Sequence, residues 1–372
     1  MAEAAVAKRE SEVTVSAPQK LPPLPTPRPN ERYYFWYRAF GMLRHPKRLV
    51  NFLKFYFSKF TSSNVTYYPM IMDVEPTQRC NYRCIMCDPA SLFKIRRKDM
   101  PFENFKKLID EQHGLIEVKV QGVGEPTLNK DFMKMVEYAL SKHLWVRTTV
   151  NGSLLDRNDT YKQLIDSGIH DINISCDGAS KDTYEKIRIG GDWEHFSKNC
   201  KLINDYNNAK PNPVPLRAWV VMQEENKHEF DQFPRIFKEL GFKEMCYSFA
   251  MHNYGRDGEN EHAASDYPWA REDLERAMKL GEEIGIKVLF WSFPKMSRDN
   301  FCKIPFQRLY VTTDMHLVPC CYIANQEVVD WGSYDDFKDT WFNKYVPFRE
   351  SHRNKEKPLY SYCENCYNGC NK

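Results

Sequence analysis

A chain of 372 residues with 42% hydrophobic content is long enough for one large domain or two ordinary ones, and it supplies a sizeable core. Its formal net charge of +3 is too mild for a dedicated nucleic-acid binder, so no nucleic-acid partner is expected. No apolar run reaches the roughly 18 residues that a spanning helix requires.

In chain order, the opening "MAEAAVAKRESEVTVS" carries acidic residues and lacks a continuous apolar stretch, so it does not read as a secretory signal. A cytoplasmic location is expected, where thiols stay reduced and cysteines at motif spacing mean metal or catalysis rather than disulfides. Residues 1–32 read as a disordered tail, proline-rich over "APQKLPPLPTPRPN". Residues 33–68 form an amphipathic helical segment. Over 45–60, "HPKRLVNFLKFYFSKF", Leu49, Phe52, Leu53, Tyr56, Phe57 and Phe60 share one helical face, while Lys47, Asn51, Lys54 and Ser58 share another. Such a helix either makes peripheral contact with a membrane or packs its apolar side on the protein's own body, and the second is the commoner arrangement.

From residue 69 to 250 strands and helices alternate. Strands are predicted over 69–75, 115–121, 144–150, 170–176, 216–222 and 243–249. Helical patterns such as "FENFKKLIDEQ", "KDFMKMVEYALSK", "YKQLIDSG" and "KHEFDQFPRIFKELG" lie between them, with Gly168 and Gly241 as stop signals. This α/β pattern predicts a parallel sheet with right-handed crossovers, open or curled into a partial barrel. Chemistry in such folds collects at the carboxyl ends of the strands. Residues 251–299 read as a linker with a helix near 269–285 and a strand near 286–291. Residues 300–372 hold half of the 12 cysteines and read as a small α+β extension stapled by metal.

"EPTQRCNYRCIMCDPA", 75–90, places Cys80, Cys84 and Cys87 in a loop directly after the first strand. Structural zinc prefers four protein ligands, and no fourth lies nearby. A cubane held by three thiolates leaves one iron open to an exogenous ligand. The loop resembles the signature of the radical S-adenosylmethionine (SAM) enzymes, whose fold is a partial (β/α)6 barrel. The resemblance implies a [4Fe-4S] cluster on Cys80, Cys84 and Cys87 that chelates and cleaves SAM to a 5′-deoxyadenosyl radical. It also implies an electron donor such as flavodoxin or ferredoxin.

Further motifs follow successive predicted strands. "QGVGEP", 121–126, is similar to the family's glycine-glycine-glutamate element, with Gly124 and Glu125 holding the SAM ammonium and Val123 interrupting the usual glycine pair. By the same resemblance Asn151, in "TVNGSLL", lines the SAM pocket, and Ser175 and Arg188, in "NISCDGASKDTYEKIR", contact its ribose and carboxylate. An arginine fork suits a carboxylate. Period-2 alternation sends Asn173, Ser175 and Asp177 to one face of the strand and Ile172, Ile174 and Cys176 to the other. Met86 stands where the family's backbone meets the adenine.

The strings "CKIPFQRLYVTTDMHLVPCCY" and "YCENCYNGC" resemble the SPASM or twitch extension of many radical SAM enzymes. The resemblance implies one auxiliary [4Fe-4S] cluster, on Cys302, Cys320, Cys363 and Cys366. Adjacent Cys320 and Cys321 should face opposite sides of a strand. Met315 stands where a glycine is usual, which weakens the hairpin expected between strands 308–313 and 317–321. A zinc ribbon is the other use of these thiols.

The implied reaction is hydrogen-atom abstraction, with net dehydrogenation or epimerisation of a small molecule such as a sugar derivative. Cys246, near the end of the sixth strand, is the candidate catalytic hydrogen donor, against the ordinary reading of a buried core thiol. A peptide-modifying maturase and a non-catalytic metal-bound scaffold are the alternatives.

Overall fold

The computed structural model describes residues 24–58, 60–87, 98–249, 262, 270–291, 300–357, 359–364 and 366–367. Most of the proline-rich tail, most of the linker and Cys370 lie outside the described residues.

The elements run α1 (Glu31–Arg44), α2 (Pro46–Ser58), β1 (Ile71–Val74), α3 (Phe102–Glu111), β2 (Glu117–Val120), α4 (Phe132–Ser141), β3 (Trp145–Val150) and α5 (Thr160–Asp166). They continue with β4 (Asp171–Ser175), α6 (Lys181–Ile187), α7 (Trp193–Asn208), β5 (Leu216–Val221), α8 (Phe233–Glu239), β6 (Glu244–Ser248), α9 (Arg271–Ile284) and β7 (Lys287–Trp291). Then come α10 (Ile304–Gln307), β8 (Arg308–Val311), β9 (Leu317–Val318), α11 (Tyr345–Arg353) and α12 (Ser361–Glu364). All six strands predicted over 69–249 form, each trimmed by a residue or more. Gly168 and Gly241 take φ of 74° and 90°, the left-handed conformation that ends a helix cheaply in glycine.

The sheet order is β7-β6-β5-β4-β3-β2-β1-β8-β9, and every pair is parallel except β8–β9. The fold is the α/β partial barrel, with two parallel strands added to the predicted six. β7 pairs with β6, and β8 joins β1 through Ile71↔Arg308 to Val74↔Val311. The β8–β9 hairpin is shorter than expected, yet it closes. Met315 adopts φ 62°, and Thr312 and His316 bond across the turn at 2.9 Å.

Alternation builds the layers. Met72, Val74, Val118, Val120, Ile172 and Ile174 are buried under the helices. The opposite face carries charge. Arg308 pairs with Asp73 at 3.0 Å, Arg147 with Glu117 at 3.0 Å, and Arg217 with Asp171 and Glu244 at 2.7 and 2.8 Å.

α1 and α2 close the end of the sheet where the strands begin. Asn30 caps α1 by accepting from the Tyr33 N–H. The Tyr34 hydroxyl donates to Glu117, and Tyr37 donates to the Leu144 carbonyl. α2 docks by a face that carries Arg48, Asn51 and Phe55, the last packed on the core, while Leu53, Tyr56 and Phe57 of the expected apolar face stay exposed. Arg48 donates to the Lys142 and His143 carbonyls, both at 3.0 Å, while Asn51 donates to the Tyr68 carbonyl at 2.9 Å and accepts from its N–H at 2.7 Å. Those backbone groups belong to loops between elements and have no ladder partner, so a buried amide and guanidinium satisfy them better than leucine could.

Replacing Asn51 with alanine strands both backbone groups of Tyr68. Each stranded group costs about 1–3 kcal/mol, so urea unfolding of Asn51→Ala should show a loss of roughly 2 kcal/mol or more.

Candidate active site

The loop after β1 is laced to the ends of four neighbouring elements. Glu75, buried, accepts from the Val123 N–H at 3.1 Å and from the Thr313 N–H and hydroxyl at 3.1 and 3.0 Å. Burial raises its carboxyl pKa, and those bonds oppose the rise. A Cβ at Gly122 would stand 2.3 Å from Glu75 Cγ, and one at Gly124 would stand 2.3 Å from the Thr77 carbonyl and 2.6 Å from that of Arg79. Both glycines are therefore demanded by close approach of this loop. Arg79 pairs with Asp99 and donates to the Leu128 carbonyl at 2.6 Å, while its own carbonyl accepts from the Glu125 N–H at 2.8 Å.

The cysteines sit on the far half of this loop. Asn81 donates to Ser153 at 2.8 Å and accepts from Asn151 at 2.9 Å. Arg83 and Ile85 donate backbone bonds to the carbonyls of Ile189 and Ile187, at 2.8 and 3.0 Å, and Cys87 donates to the Cys84 carbonyl at 3.1 Å. Cys80, Cys84, Met86 and Cys87 are all half-buried. Burial pushes the Cys80 thiol up to about 11, with Glu125 and Cys84 adding to the rise, and it raises Cys84 against the pull of Arg188.

Four of the six residues named for SAM gather here. Glu125 is 3% exposed; it accepts from the Thr127 N–H and hydroxyl and from the Asn151 N–H at 2.7 Å. Burial raises its pKa, and Arg188 is among the groups opposing that. Arg188 is no surface ion pair. It is 5% exposed, lies 2.6 Å from fully buried Asp177, and carries its Nη1 4.0 Å from Cys84 Sγ. Its Nε is buried with no hydrogen-bond partner, an open donor suited to an incoming anion. Gly124 precedes Glu125 against the loop. Ser175 is half-buried at the end of β4 opposite Trp219, and Cys176 turns the other way into the core, as alternation predicted.

Cys246 is not part of this gathering. It is fully buried on β6 between Trp219 and Leu289, its thiol directed at the Tyr247 carbonyl and its pKa driven far up by burial.

The C-terminal thiols form a second gathering. Cys302 is pushed up to about 12, by burial first and then by Cys366 and Cys321. Cys320 is raised by burial and by Cys321, Cys363 and Cys302. Cys363 responds to Cys302 and Cys366. A buried scaffold that sequence reasoning missed holds them. The Tyr367 hydroxyl accepts from the Cys302 N–H at 3.0 Å and bonds His352 Nδ1 at 2.8 Å, and His352 Nε2 is 3.7 Å from Cys363 Sγ. Cys321 behaves differently. It packs, as Val123 does, against the small cluster of Tyr310, Val318 and Ala324, and after burial its charge neighbours are Asp73, Arg308 and Lys119, on the charged face of the sheet. Neither Cys320 nor Cys321 lies on a strand, since β9 ends at Val318, and Cys321 also raises Cys302, Cys320 and Cys366, so it borders the thiol gathering and the charged face alike.

Every described cysteine is a free thiol. Among the described residues no three His, Cys, Asp or Glu side chains converge as on one ion. A single tetrahedral ion needs that convergence, whereas a cluster takes one thiolate at each corner. Two groups of thiols, half-buried after β1 and mostly enclosed in the C-terminal part, fit cluster cores that replace their protons.

The sequence profile of the Radical SAM superfamily matches residues 74–252. The molybdenum cofactor biosynthesis protein moc-5 of Caenorhabditis elegans is 28% identical over 281 residues, which are 68% of this chain and 43% of that protein. GTP 3′,8-cyclase of Aliarcobacter butzleri is 28% identical over 271 residues, 68% of this chain and 80% of the cyclase. In fold the chain is similar to Streptococcus suis SuiB bound to its precursor peptide SuiA, with a TM-score of 0.63 and 14% identity over 80% of this chain and 70% of SuiB. Residues 74–252 form a radical SAM domain, a kind that takes an iron-sulfur cluster and SAM as its cofactors, and the relatives of the chain include maturases of the SPASM/twitch type.

Proposed function

We propose that this enzyme cleaves SAM reductively and removes a hydrogen atom from a small anionic molecule, such as a phosphorylated or carboxylated sugar derivative. The observation that carries the first half is Arg188, buried beside Cys84 with an open Nε, set near the carboxylate of Glu125. A buried cation and a buried carboxylate flanking one thiol loop are complementary to an amino-acid zwitterion.

Cys80, Cys84 and Cys87 hold the cluster that takes SAM, and Cys302, Cys320, Cys363 and Cys366 hold one auxiliary cluster. When bound, the first cluster would supply the electron for reductive SAM cleavage and with it the hydrogen-abstracting chemistry. Glu125 accepts from the ammonium of SAM, and Arg188 donates to its carboxylate. Gly124 lets Glu125 approach the cysteine loop. The Asn151 side chain is committed to Asn81 and Ser153, so this residue acts as a strut, with its N–H orienting Glu125. Ser175 and Met86 border the nucleoside end.

Lys119 points to the substrate class. It lies on the charged face of β2 near Arg147, Asp73, Cys321 and Arg308, yet among the described residues its side chain makes no hydrogen bond or ion pair. The other three basic residues there, Arg147, Arg217 and Arg308, are all paired. An unpaired, largely desolvated cation is costly unless an anion arrives. Burial lowers its pKa to about 8. For epimerisation, Cys321 is the better-placed hydrogen donor, being half-buried on the side of Val123 where Cys246 is wholly enclosed. A second reading, peptide maturation, draws on the fold similarity to SuiB.

Anaerobic reconstitution should load about eight irons and yield 5′-deoxyadenosine with reductant. Zinc in their place, without SAM cleavage, would sink the reading. Cys84→Ala should abolish cleavage, whereas Cys363→Ala should retain part of it and lose turnover and thermal stability. Gly124→Ala, which drives a methyl into two carbonyls, should abolish SAM binding in equilibrium dialysis.

Candidate substrates can be screened by deuterium transfer into 5′-deoxyadenosine. With an anionic one, Lys119→Met should raise KM by about tenfold or more while substrate-free SAM cleavage is unchanged. The Lys119 charge is present below its pKa and lost as pH rises through about 8, so wild-type KM should climb across that range and the variant's should not. A flat wild-type profile removes Lys119 from substrate binding.

A further inference from the structure

Helices α1 and α2 both turn large apolar side chains to solvent. They bury Arg48 and Asn51 and show solvent Phe35, Trp36, Phe40 and Leu43 from α1 and Val50, Leu53 and Phe57 from α2, each between 42% and 74% exposed. Residues 36, 40 and 43, then 50, 53 and 57, recur at helical spacing, so each helix carries an outward apolar stripe. Scattered exposed apolar residues are ordinary, but two stripes on a helix pair joined at His45 form one surface.

The charge on this pair is equally one-sided. Residues 31–58 hold six arginines and lysines and a single acid, Glu31, in a chain whose total is only +3, so the remainder is net negative. Arg32, Arg44, Lys47 and Lys54 are exposed, and Arg44 lies over the Phe40 ring at 4.6 Å. Among the described residues no helix is long and apolar enough to cross a membrane.

We propose that α1 and α2 dock flat on an anionic lipid bilayer. Trp36, Phe40, Leu43, Val50, Leu53 and Phe57 enter the boundary between headgroups and acyl chains, and Arg32, Arg44, Lys47 and Lys54 meet lipid phosphates. A second copy of the chain is the poorer occupant, because the same face on both partners would oppose two sets of cations. The geometry also orients the enzyme. α1 and α2 touch Glu117, Leu144 and Tyr68, at the strands' beginnings, while the cysteine loop follows the end of β1. Docking by this end leaves the catalytic mouth facing away from the bilayer, open to a substrate from the aqueous side. The inference rests on these two helices and is independent of the reaction assigned above.

The test is co-sedimentation of the full chain with vesicles of phosphatidylcholine alone or with phosphatidylglycerol added. The wild type should pellet with anionic vesicles at least about tenfold better than with neutral ones, and the advantage should shrink as salt is raised. Trp36→Ser with Phe57→Ser should abolish pelleting. Lys47→Glu with Lys54→Glu should remove the preference for anionic lipid, and both pairs should keep wild-type SAM cleavage. A wild type that stays in the supernatant with anionic vesicles overturns the proposal. So does equal pelleting of the wild type and the Trp36/Phe57 variant. A concentration-dependent dimer in ultracentrifugation, lost in that variant, would assign the face to a second copy instead.

Discussion

The ion pair between Arg188 and Asp177 is the constraint from which the catalytic end is built. Both side chains are buried, and each would be strongly disfavoured alone, since removing one partner of such a pair costs about 3–5 kcal/mol. The pair is anchored on both sides. Asp177 accepts from the Val221 N–H at 2.7 Å, at the end of β5, and Arg188 follows directly on α6, flanked by Ile189 and Ile187, whose carbonyls receive the backbone bonds of Arg83 and Ile85. Holding Arg188 therefore also holds the segment that carries Cys84. Because one guanidinium edge is used by Asp177 and Nε stays open, the arginine keeps capacity for a second anion without losing its first.

The two ends of the parallel sheet are thereby given different work. At the strands' beginnings, aromatic rings and backbone bonds from α1 and α2 seal the interior. Tyr34 and Tyr37 pack edge-on against Trp145, and Tyr37 packs edge-on against His170, whose burial lowers its pKa to about 4. At the strands' ends, polar loops meet, and the residues proposed for the SAM pocket lie on these loops, at a strand terminus or, for Arg188, just after α6. Between these ends runs the belt of paired charges, which a parallel barrel tolerates because each member finds an opposite charge on a neighbouring strand.

Local pattern was enough to read the strands and the cysteine loop. Alternation in "NISCD" placed Ser175 and Cys176 on their observed sides, and the β1–β6 strands lie inside their predicted spans. What was not readable depends on partners remote in sequence. Nothing in "RLYV" announces that it will pair with Ile71–Val74 more than 200 residues earlier. The inward turn of Arg48 and Asn51 on α2 was equally hidden, because it answers to unpaired backbone groups of Tyr68, Lys142 and His143 and not to hydrophobic period. Met315 shows the same limit from another side: the hairpin bonds and the bridge from His316 to Ser333 carry a left-handed residue that local propensity argues against. Cys246 had the right strand position for a donor, but its enclosure follows from packing that alternation cannot report.

Glu75 explains why the C-terminal extension is more than an appended unit. Its carboxylate joins the end of β1, the N–H of Val123 beside the glycine-glutamate element, and Thr313 in the turn after β8. With no cation among its partners, the group is held by four neutral donors' dipoles, counting that of Gln78, and burial still lifts its pKa. A displacement of the β8–β9 turn must therefore either drag Val123 or leave a buried carboxylate oxygen bare, and the second is the costlier course. Val123 and Cys321 also pack against one small cluster of Tyr310, Val318 and Ala324, so the region of this turn links the C-terminal thiols to the glycine-glutamate element. The auxiliary thiols and the catalytic loop thus share one rigid connection through β8, and disorder in either reaches the other through Glu75.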